Sequence, residues 1–356
     1  MSKDDKYMKR CLELAEMASG NTAPNPLVGS VIVHNDRIIG EGYHRLYGAG
    51  HAETIAIDSV KNKTLLQSST LYVNLEPCAH YGHTPPCAER IIREGIPRVV
   101  IGMRDPSSKV SGRGIDILRN GGCSVIENVI EKKSREVNRR FITFHEKNRP
   151  YIILKWAQTL DGFIDKVRAK NDPIKPNWIT NELSKRLVHK WRSEEGSILV
   201  GANTTLKDNP RLNVREWQGK DPLRLVIDRH LDVDNHLEMI HDAKPTVIFT
   251  DHNSSTSKAE MLSCSSVEIV RLDFDKRVLG QILEHLYKRN VLSLFVEGGE
   301  QTISGFFSEG LWDEARVFIG NKVFHSGVKA PDFPDRPIYE LEELLETRLY
   351  IFRNRD

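Results

Sequence analysis

Residues 48–53 read Gly-Ala-Gly-His-Ala-Glu, and two cysteines follow at positions 78 and 87. His51, Cys78 and Cys87 offer one imidazole and two thiolates, which are ligands that suit Zn²⁺. Three protein ligands leave a fourth position open for water, as a catalytic zinc requires. Glu53 adds a carboxylate that can move protons between that water and a substrate. The stretch therefore predicts a catalytic zinc site in which Glu53 is the catalytic residue.

The spacing of these residues departs in one place from H-x-E followed by P-C-x-x-C, the signature of zinc nucleobase deaminases. Pro77-Cys78 matches, but eight residues rather than two separate the cysteines. His80 and His83 lie in this longer loop and are candidates for substrate contact. Two alternatives stay open: a closed structural site, with one of these histidines as fourth ligand, and free core cysteines. Glu53 would be unexplained in a purely structural site, which favours catalysis.

Length and charge limit the remaining possibilities. The chain has 356 residues, enough for two hydrophobic cores, and 51 basic against 49 acidic residues, for a net charge of +2. This balance argues against a nucleic-acid binder, and no apolar run has the length of a membrane span. With no signal-like N-terminus, we expect a cytoplasmic protein with reduced thiols. Three cysteines lack metal-binding partners and are expected in the core: Cys11, Cys123 and Cys264.

The pattern of apolar residues alternates between helix and strand spacing throughout, which predicts two α/β domains. The polar run before Pro150 marks the boundary, so we expect domains at residues 1–149 and 150–356. The first domain is expected to end in one charged helix over 131–147. Residues 168–177 and 251–258 are expected to be surface loops.

The first half resembles the bifunctional pyrimidine deaminase/reductase family of riboflavin biosynthesis. The resemblance rests on five motifs: 23–29 (APNPLVG), 40–44 (GEGYH), 51–53 (HAE), 75–87 (LEPC to TPPC) and 104–114 (RDP to SGRG). It implies a cytidine-deaminase-like three-layer α/β/α fold and a diaminopyrimidinone substrate with a phosphoribosylamino group. It also implies that Asn25, His44 and His80 contact the pyrimidine and that Asp105 lies near the ribose phosphate arm.

The second half contains no G-x-G-x-x-G after a strand, so a Rossmann dinucleotide site has no support. Gly298-Gly299 lies between a predicted strand and a predicted helix. Its backbone amides could hold a phosphate at the helix N-terminus, or the pair could be an ordinary turn. From the residues alone both interpretations remain open.

The same family resemblance continues here through 155–162 (KWAQTLDG), 178–180 (WIT), 200–205, 208–212 and 296–299 (VEGG). It implies a dihydrofolate-reductase-like α/β domain that uses NADPH to reduce the ribose to a ribityl chain. The residues implied for NADPH binding are Ala157, Trp178, Thr204, Asp208 and the segment from Gly299 to Gly305. Those implied for substrate binding are Arg192, Leu212, Arg215 and Glu297. No catalytic residue is assigned to the reduction.

Three functional hypotheses follow. The first is a bifunctional enzyme with Zn²⁺ in one domain and NADPH in the other. The second is a nucleic-acid-editing or free-nucleoside deaminase with a non-catalytic C-terminal domain, and the third is a non-catalytic zinc scaffold. For the first, the expected partners are a small phosphoribosyl pyrimidine and further copies of the chain, with no nucleic acid and no membrane.

Overall fold

The protein was analysed as a computed structural model that describes residues 2–79, 85–107, 111–169, 172–264 and 266–354. The chain divides into two compact units, Met1–Asn148 and Arg149–Asp356. Among the described residues, no helix has both the length and the apolar character needed to cross a membrane. All five cysteines are free thiols, as expected for a chain without a disulfide framework. Cys11 and Cys123 are buried as predicted, but the core position predicted for Cys264 is wrong, because this residue is exposed just after α10.

The first unit is built on a five-stranded sheet with the order β2-β1-β3-β4-β5. Strand β1 pairs antiparallel with β2 and β3, whereas β3, β4 and β5 are parallel. Its strands are β1 (Gly29–His34), β2 (Arg37–Tyr43), β3 (Thr70–Val73), β4 (Arg98–Ile101) and β5 (Ser124–Ile126). Its helices are α1 (Lys3–Glu16), α2 (Ala52–Ser59), α3 (Cys87–Arg93), α4 (Arg113–Asn120), α5 (Glu131–Val137) and α6 (Arg139–Lys147), with a 3₁₀ turn at Lys63–Ser68.

Two apolar cores cover the two faces of this sheet, because successive strand residues point to opposite sides. One face packs Ile32, Leu71 and Val99 against α2, α3 and α4. The other face packs Val31 and Tyr72, together with Val33 and Val100, against α1. The predicted three-layer α/β/α arrangement is therefore present.

The second unit contains a nine-stranded sheet with the order β11-β10-β9-β8-β12-β6-β13-β16-β15. Its strands are parallel except that β16 is antiparallel to β13 and β15. The strands are β6 (Tyr151–Gln158), β7 (Phe163–Asp165), β8 (Ser197–Gly201), β9 (Leu223–Ile227), β10 (Thr246–Asp251), β11 (Val267–Leu272), β12 (Ser293–Val296), β13 (Glu314–Ile319), β14 (Val328–Lys329), β15 (Ile338–Leu344) and β16 (Thr347–Arg353). The short strands β7 and β14 lie outside the nine-stranded sheet and pair with each other in a separate two-stranded sheet.

Helices cover this sheet and create two further cores on its opposite faces. The helices are α7 (Glu182–Glu194), α8 (Ala202–Asp208), α9 (Glu238–His241), α10 (Thr256–Leu262), α11 (Val278–Lys288) and α12 (Glu300–Ser308). Ile153 and Phe295 point into one core, and their neighbours Leu154 and Val296 point into the other. The parallel strands are thus apolar on both faces, as buried parallel sheets are.

Two expectations about secondary structure were wrong. The charged helix expected over 131–147 breaks at Asn138, because that side chain accepts a hydrogen bond from Leu27 N at 2.8 Å and donates one to Leu27 O at 3.0 Å. The loop expected over 251–258 already contains the start of α10, where Ser255 caps the helix by accepting from Lys258 N. The described residues of the other predicted loop, 168–177, form no helix or strand.

Candidate active sites

The three predicted zinc ligands come together at one end of the first sheet. His51 is the N-cap of α2, Cys87 is the first residue of α3, and Cys78 follows β3. The Nδ1 atom of His51 lies 3.4 Å from Sγ of Cys78 and 3.3 Å from Sγ of Cys87. These ligand atoms all lie within 4.8 Å of one another, and among the described residues they form the whole cluster.

This geometry fits a tetrahedral zinc ion. With zinc bonds of about 2.3 Å to sulfur and about 2.0 Å to nitrogen, a tetrahedron places its sulfur and nitrogen ligands roughly 3.5 Å apart. The two observed separations are close to that value. His80, predicted as a substrate contact, and His83, the other candidate fourth ligand, lie outside the described residues.

The electrostatics of the cluster favour a thiolate at Cys78. Hydrogen bonds from Cys87 and from His51 hold the pKa of the Cys78 thiol well below its usual value. The backbone N–H of Cys87, in the first turn of α3, points at the same sulfur at 3.3 Å. A helix N-terminus adds positive potential at that position. Cys78 therefore favours the thiolate form, which is the form that binds a metal cation.

Glu53 lies in the first turn of α2, beside the cluster, and is buried. Burial, together with the nearby negative charge of Cys78, raises the pKa of Glu53 to about 7. A carboxyl group with a pKa near the working pH can both accept and release a proton. The position and burial of Glu53 therefore suit the proton carrier that the sequence predicts.

Asn25 and His44 form a hydrogen-bonded pair near the metal ligands. The ring of His44 packs edge-on to that of His51, with 5.8 Å between centroids. Its Nδ1 lies 3.1 Å from the carbonyl oxygen of Gly50, so Nδ1 must carry the proton. Its Nε2 then accepts from the Asn25 amide at 3.0 Å. Burial lowers the pKa of His44, which keeps the ring neutral. Because Asn25 uses its NH₂ group in this hydrogen bond, its carbonyl oxygen is available to a ligand.

The second unit has a cavity of about 760 Å³ at the carboxyl ends of its parallel strands. Ligands of open α/β sheets bind at this edge, and the volume suits a nucleotide cofactor with its substrate. Seven predicted site residues line the cavity: Ala157, Trp178, Thr204, Asp208, Glu297, Gly299 and Gly305. Gly299 is the N-cap of α12, with a φ of 72° that favours glycine.

A cluster of charged side chains lies at one wall of this cavity, which Lys155 and Glu297 line and Arg192 supports from behind. The guanidinium of Arg192 donates to both carboxylate oxygens of Glu297, at 2.6 and 2.9 Å, and its third nitrogen donates to Asn213 O. Lys155 lies 3.6 Å from the same carboxylate. Burial lowers the pKa of Lys155, although Glu297 opposes the shift. Sequence reasoning missed Lys155, although it begins a motif quoted for the family resemblance.

The other predicted substrate residues lie in different surroundings. Leu212 is buried in the apolar core with a φ of 51° and is not among the residues that line the cavity. Arg215 is partly exposed, and its backbone N–H donates to Nδ1 of the buried His189 at 3.3 Å. Asp208, predicted to bind NADPH, is paired with Arg168 at 2.7 Å, a cavity residue that sequence reasoning also missed.

Asp105 has a buried carboxylate that accepts a hydrogen bond from Ser107 N at 2.7 Å. It follows β4 in the first unit, on the loop that leads to α4. Its location near a ribose phosphate arm stays a prediction.

Comparisons with known proteins match both units. Residues 1–103 match the family model for the cytidine and deoxycytidylate deaminase zinc-binding region, which includes all three predicted zinc ligands. Residues 150–335 match the model for the RibD C-terminal domain. The predicted order of a zinc deaminase domain followed by a reductase domain is therefore confirmed. The reductase family implies a nicotinamide cofactor.

Full-length relatives extend the match over nearly the whole chain. The riboflavin biosynthesis protein RibD of Aquifex aeolicus is 40% identical over 97% of this chain and 94% of its own length. RibD of Bacillus amyloliquefaciens is 36% identical over 92% and 87%. A solved deaminase/reductase from Thermotoga maritima, 35% identical, superposes with a TM-score of 0.88 over 99% of this chain and 98% of that one. The chain therefore belongs to the RibD family of bifunctional deaminase/reductase enzymes of riboflavin biosynthesis.

Proposed function

We propose that this chain deaminates 2,5-diamino-6-(5-phosphoribosylamino)pyrimidin-4-one and then reduces the ribosyl group of the resulting uracil to ribityl. The observation that carries the proposal is the presence of two separate sites. One is a three-ligand cluster beside a buried glutamate, and the other is a cavity at the carboxyl edge of a parallel sheet. The solved Thermotoga maritima relative is named as the deaminase and reductase of these two compounds.

In the deaminase site, His51, Cys78 and Cys87 would hold Zn²⁺. When bound, the metal supplies the Lewis acidity that makes water nucleophilic near neutral pH. Glu53 takes a proton from the attacking water and gives it to the ring nitrogen next to the amino carbon. The amino nitrogen then leaves as ammonia after it receives the second proton of the water. The amide of Asn25, oriented by His44, faces the pyrimidine and holds it in register.

In the reductase site, NADPH would lie along the cavity between Ala157, Trp178, Thr204 and the turn at Gly299, and it supplies the hydride when bound. Hydride addition at C1′ opens the ribose ring, so the ring oxygen must receive a proton. We assign this proton to Lys155, because its ammonium group is buried on the wall of the cavity. The lowered pKa of Lys155 makes its proton easier to release.

The remaining binding residues are proposed from the family pattern. Glu297 and Arg192 hold each other and present a fixed surface to the substrate, and Arg215 is the more accessible cation for its phosphate. Asp208, together with Gly305, contributes to the cofactor site. We further propose that the protein is cytoplasmic and acts as a homo-oligomer without nucleic-acid partners.

A coupled assay tests this function. The phosphoribosyl diaminopyrimidinone is supplied with NADPH, and ammonia release and NADPH oxidation are followed together, with and without a zinc chelator. We expect one ammonia for each NADPH oxidised and loss of both signals after zinc removal. The deaminated uracil should still be reduced by the metal-free chain. Ammonia release that persists without zinc would contradict the proposal.

A further inference from the structure

Glu76 is a buried carboxylate without an assigned role. It accepts hydrogen bonds from four backbone N–H groups. Oε2 accepts from Asp105 and Gly112, at 3.2 and 3.0 Å, and Oε1 accepts from Gly114 and Ile115, at 2.9 and 3.4 Å. All four donors belong to one stretch, of which residues 105–107 and 111–115 are described. A single side chain thus holds both described parts of this stretch.

The same stretch packs closely against the chain segment that carries a zinc ligand. A Cβ atom at Gly114 would lie 2.0 Å from the carbonyl oxygen of Pro77, so only glycine allows this approach. Pro77 directly precedes Cys78 and directly follows Glu76. The positions of residues 105–107 and 111–115 relative to the metal cluster are therefore set by Glu76 and by the contact at Gly114.

We propose that Glu76 is a positioning residue that makes the deaminase selective for a phosphorylated substrate. It fixes the stretch that carries Asp105 at a set distance from the zinc ligands, so that this stretch meets the ribose phosphate arm. The inference rests on the proposed function. It also gives a role to the motif at 111–114, which the family resemblance singled out but to which no chemistry was attached.

A carboxylate is required at this position because the four backbone N–H groups are satisfied only if both terminal atoms of the side chain are acceptors. Each carboxylate oxygen has two lone pairs and accepts two N–H groups here. A glutamine has nearly the same shape but replaces one oxygen by an NH₂ group, which would face two backbone donors. Two hydrogen bonds would be lost and residues 105–107 and 111–115 would shift, while the backbone of Cys78 keeps its place.

The test compares Glu76→Gln with the control Glu16→Gln, an exposed residue of α1. Kinetics are measured on the phosphoribosyl diaminopyrimidinone and on its dephosphorylated riboside, with zinc content determined on the same samples. We expect KM for the phosphorylated substrate to rise about 10- to 100-fold, the equivalent of one or two hydrogen bonds to a charged group. We expect kcat, zinc content, KM for the riboside and reductase activity to stay unchanged.

Equal loss with both substrates, loss of zinc from a folded chain, or no change in KM would each overturn the proposal. If Glu76→Gln does not fold, Gly112→Ala tests it without touching the zinc segment. Gly112 has a φ of 81°, and none of the described residues lies within 4 Å of its Cβ position, so alanine strains the backbone there without a clash with them. The same selective rise in KM is expected, and an unchanged KM would overturn the proposal. Failure of the wild type to turn over the phosphorylated substrate would instead contradict the proposed function itself.

Discussion

The Nδ1 atom of His51 lies 3.3 Å from the sulfur of Cys87, although the two residues are 36 positions apart in the sequence. The first is the N-cap of α2 and the second begins α3, so two helix N-termini converge on one point. Both helices pack on the same face of the sheet. The metal cluster is thus a direct product of the three-layer fold.

The first prediction concerns zinc removal. The purified chain should contain one zinc per chain, and a chelator should abolish ammonia release while NADPH-dependent reduction of the deaminated uracil continues. The reason is that the ligand cluster lies in Met1–Asn148, whereas the reductase cavity belongs to Arg149–Asp356. Re-addition of Zn²⁺ should restore deamination. Equal loss of both activities on chelation would contradict the separation of the two sites.

The second prediction concerns Lys155→Met. We expect kcat for the reduction to fall about 100-fold or more, which is within the usual contribution of a positioned proton donor. Ammonia release in the deaminase assay should be unchanged. Lys220→Met is the matched control, because Lys220 is exposed. A variant that reduces the uracil at the wild-type rate would remove Lys155 from the mechanism.

The third prediction concerns Glu297→Gln and pH. Although burial alone would raise it, Arg192 and Lys155 lower the pKa of Glu297 from 4.5 to about 2. The carboxylate therefore contributes stability above pH 4.5 and loses it as the pH falls through 2. At pH 6 the variant should unfold at lower urea, with a loss of about 3–5 kcal/mol because buried cations remain unpaired. The difference from the wild type should shrink towards pH 3.

Tryptophan fluorescence follows the unfolding of the second structural unit, which contains Glu297. All five tryptophans lie in Arg149–Asp356: Trp156, Trp178, Trp191, Trp217 and Trp312. Glu346→Gln, at an exposed position, is the control and should unfold as the wild type does. A stability difference that is the same at pH 6 and pH 3 would show that the ionised carboxylate is not responsible.

The fourth prediction concerns Asn138→Ala. Its side chain satisfies both backbone groups of Leu27, two residues beyond the proposed pyrimidine contact Asn25. Alanine would leave the N–H of Leu27 unpaired, at a cost of about 1–3 kcal/mol, while the carbonyl oxygen of Leu27 keeps its hydrogen bond from Asn74. We expect zinc to be released at a lower temperature and KM for the pyrimidine to rise. Asn120→Ala, at the exposed end of α4, should change neither.

Much of the fold and the metal cluster could be predicted from sequence because their signals are local. Strands such as β6 and β12 are short apolar runs. One histidine and two cysteines, at positions 51, 78 and 87, are residue types that by themselves indicate a zinc site. Strand β15 was not predicted because most of its residues are exposed and three are glutamates, so no alternating apolar pattern marks it.

The polar contacts that support the sites could not be predicted, because they depend on side chains meeting residues far away in the sequence. Asn138 breaks a helix to bond Leu27, 111 residues earlier. Glu76 reaches donors up to 39 residues away. In the sequence, Lys155 is a single lysine within a mostly apolar strand. Only the structure shows that it lies beside the ion pair of Glu297 and Arg192. Such partners become visible only in three dimensions.

The most direct test of the account is the Glu53→Gln variant in the coupled assay. With the phosphoribosyl diaminopyrimidinone as substrate, we expect neither ammonia release nor NADPH oxidation above background, because the amide cannot carry the proton. With the deaminated uracil as substrate, the same protein should oxidise NADPH at the wild-type rate, and it should still contain zinc. Wild-type NADPH oxidation from the diaminopyrimidinone would contradict the assignment of Glu53 and the order of the two reactions.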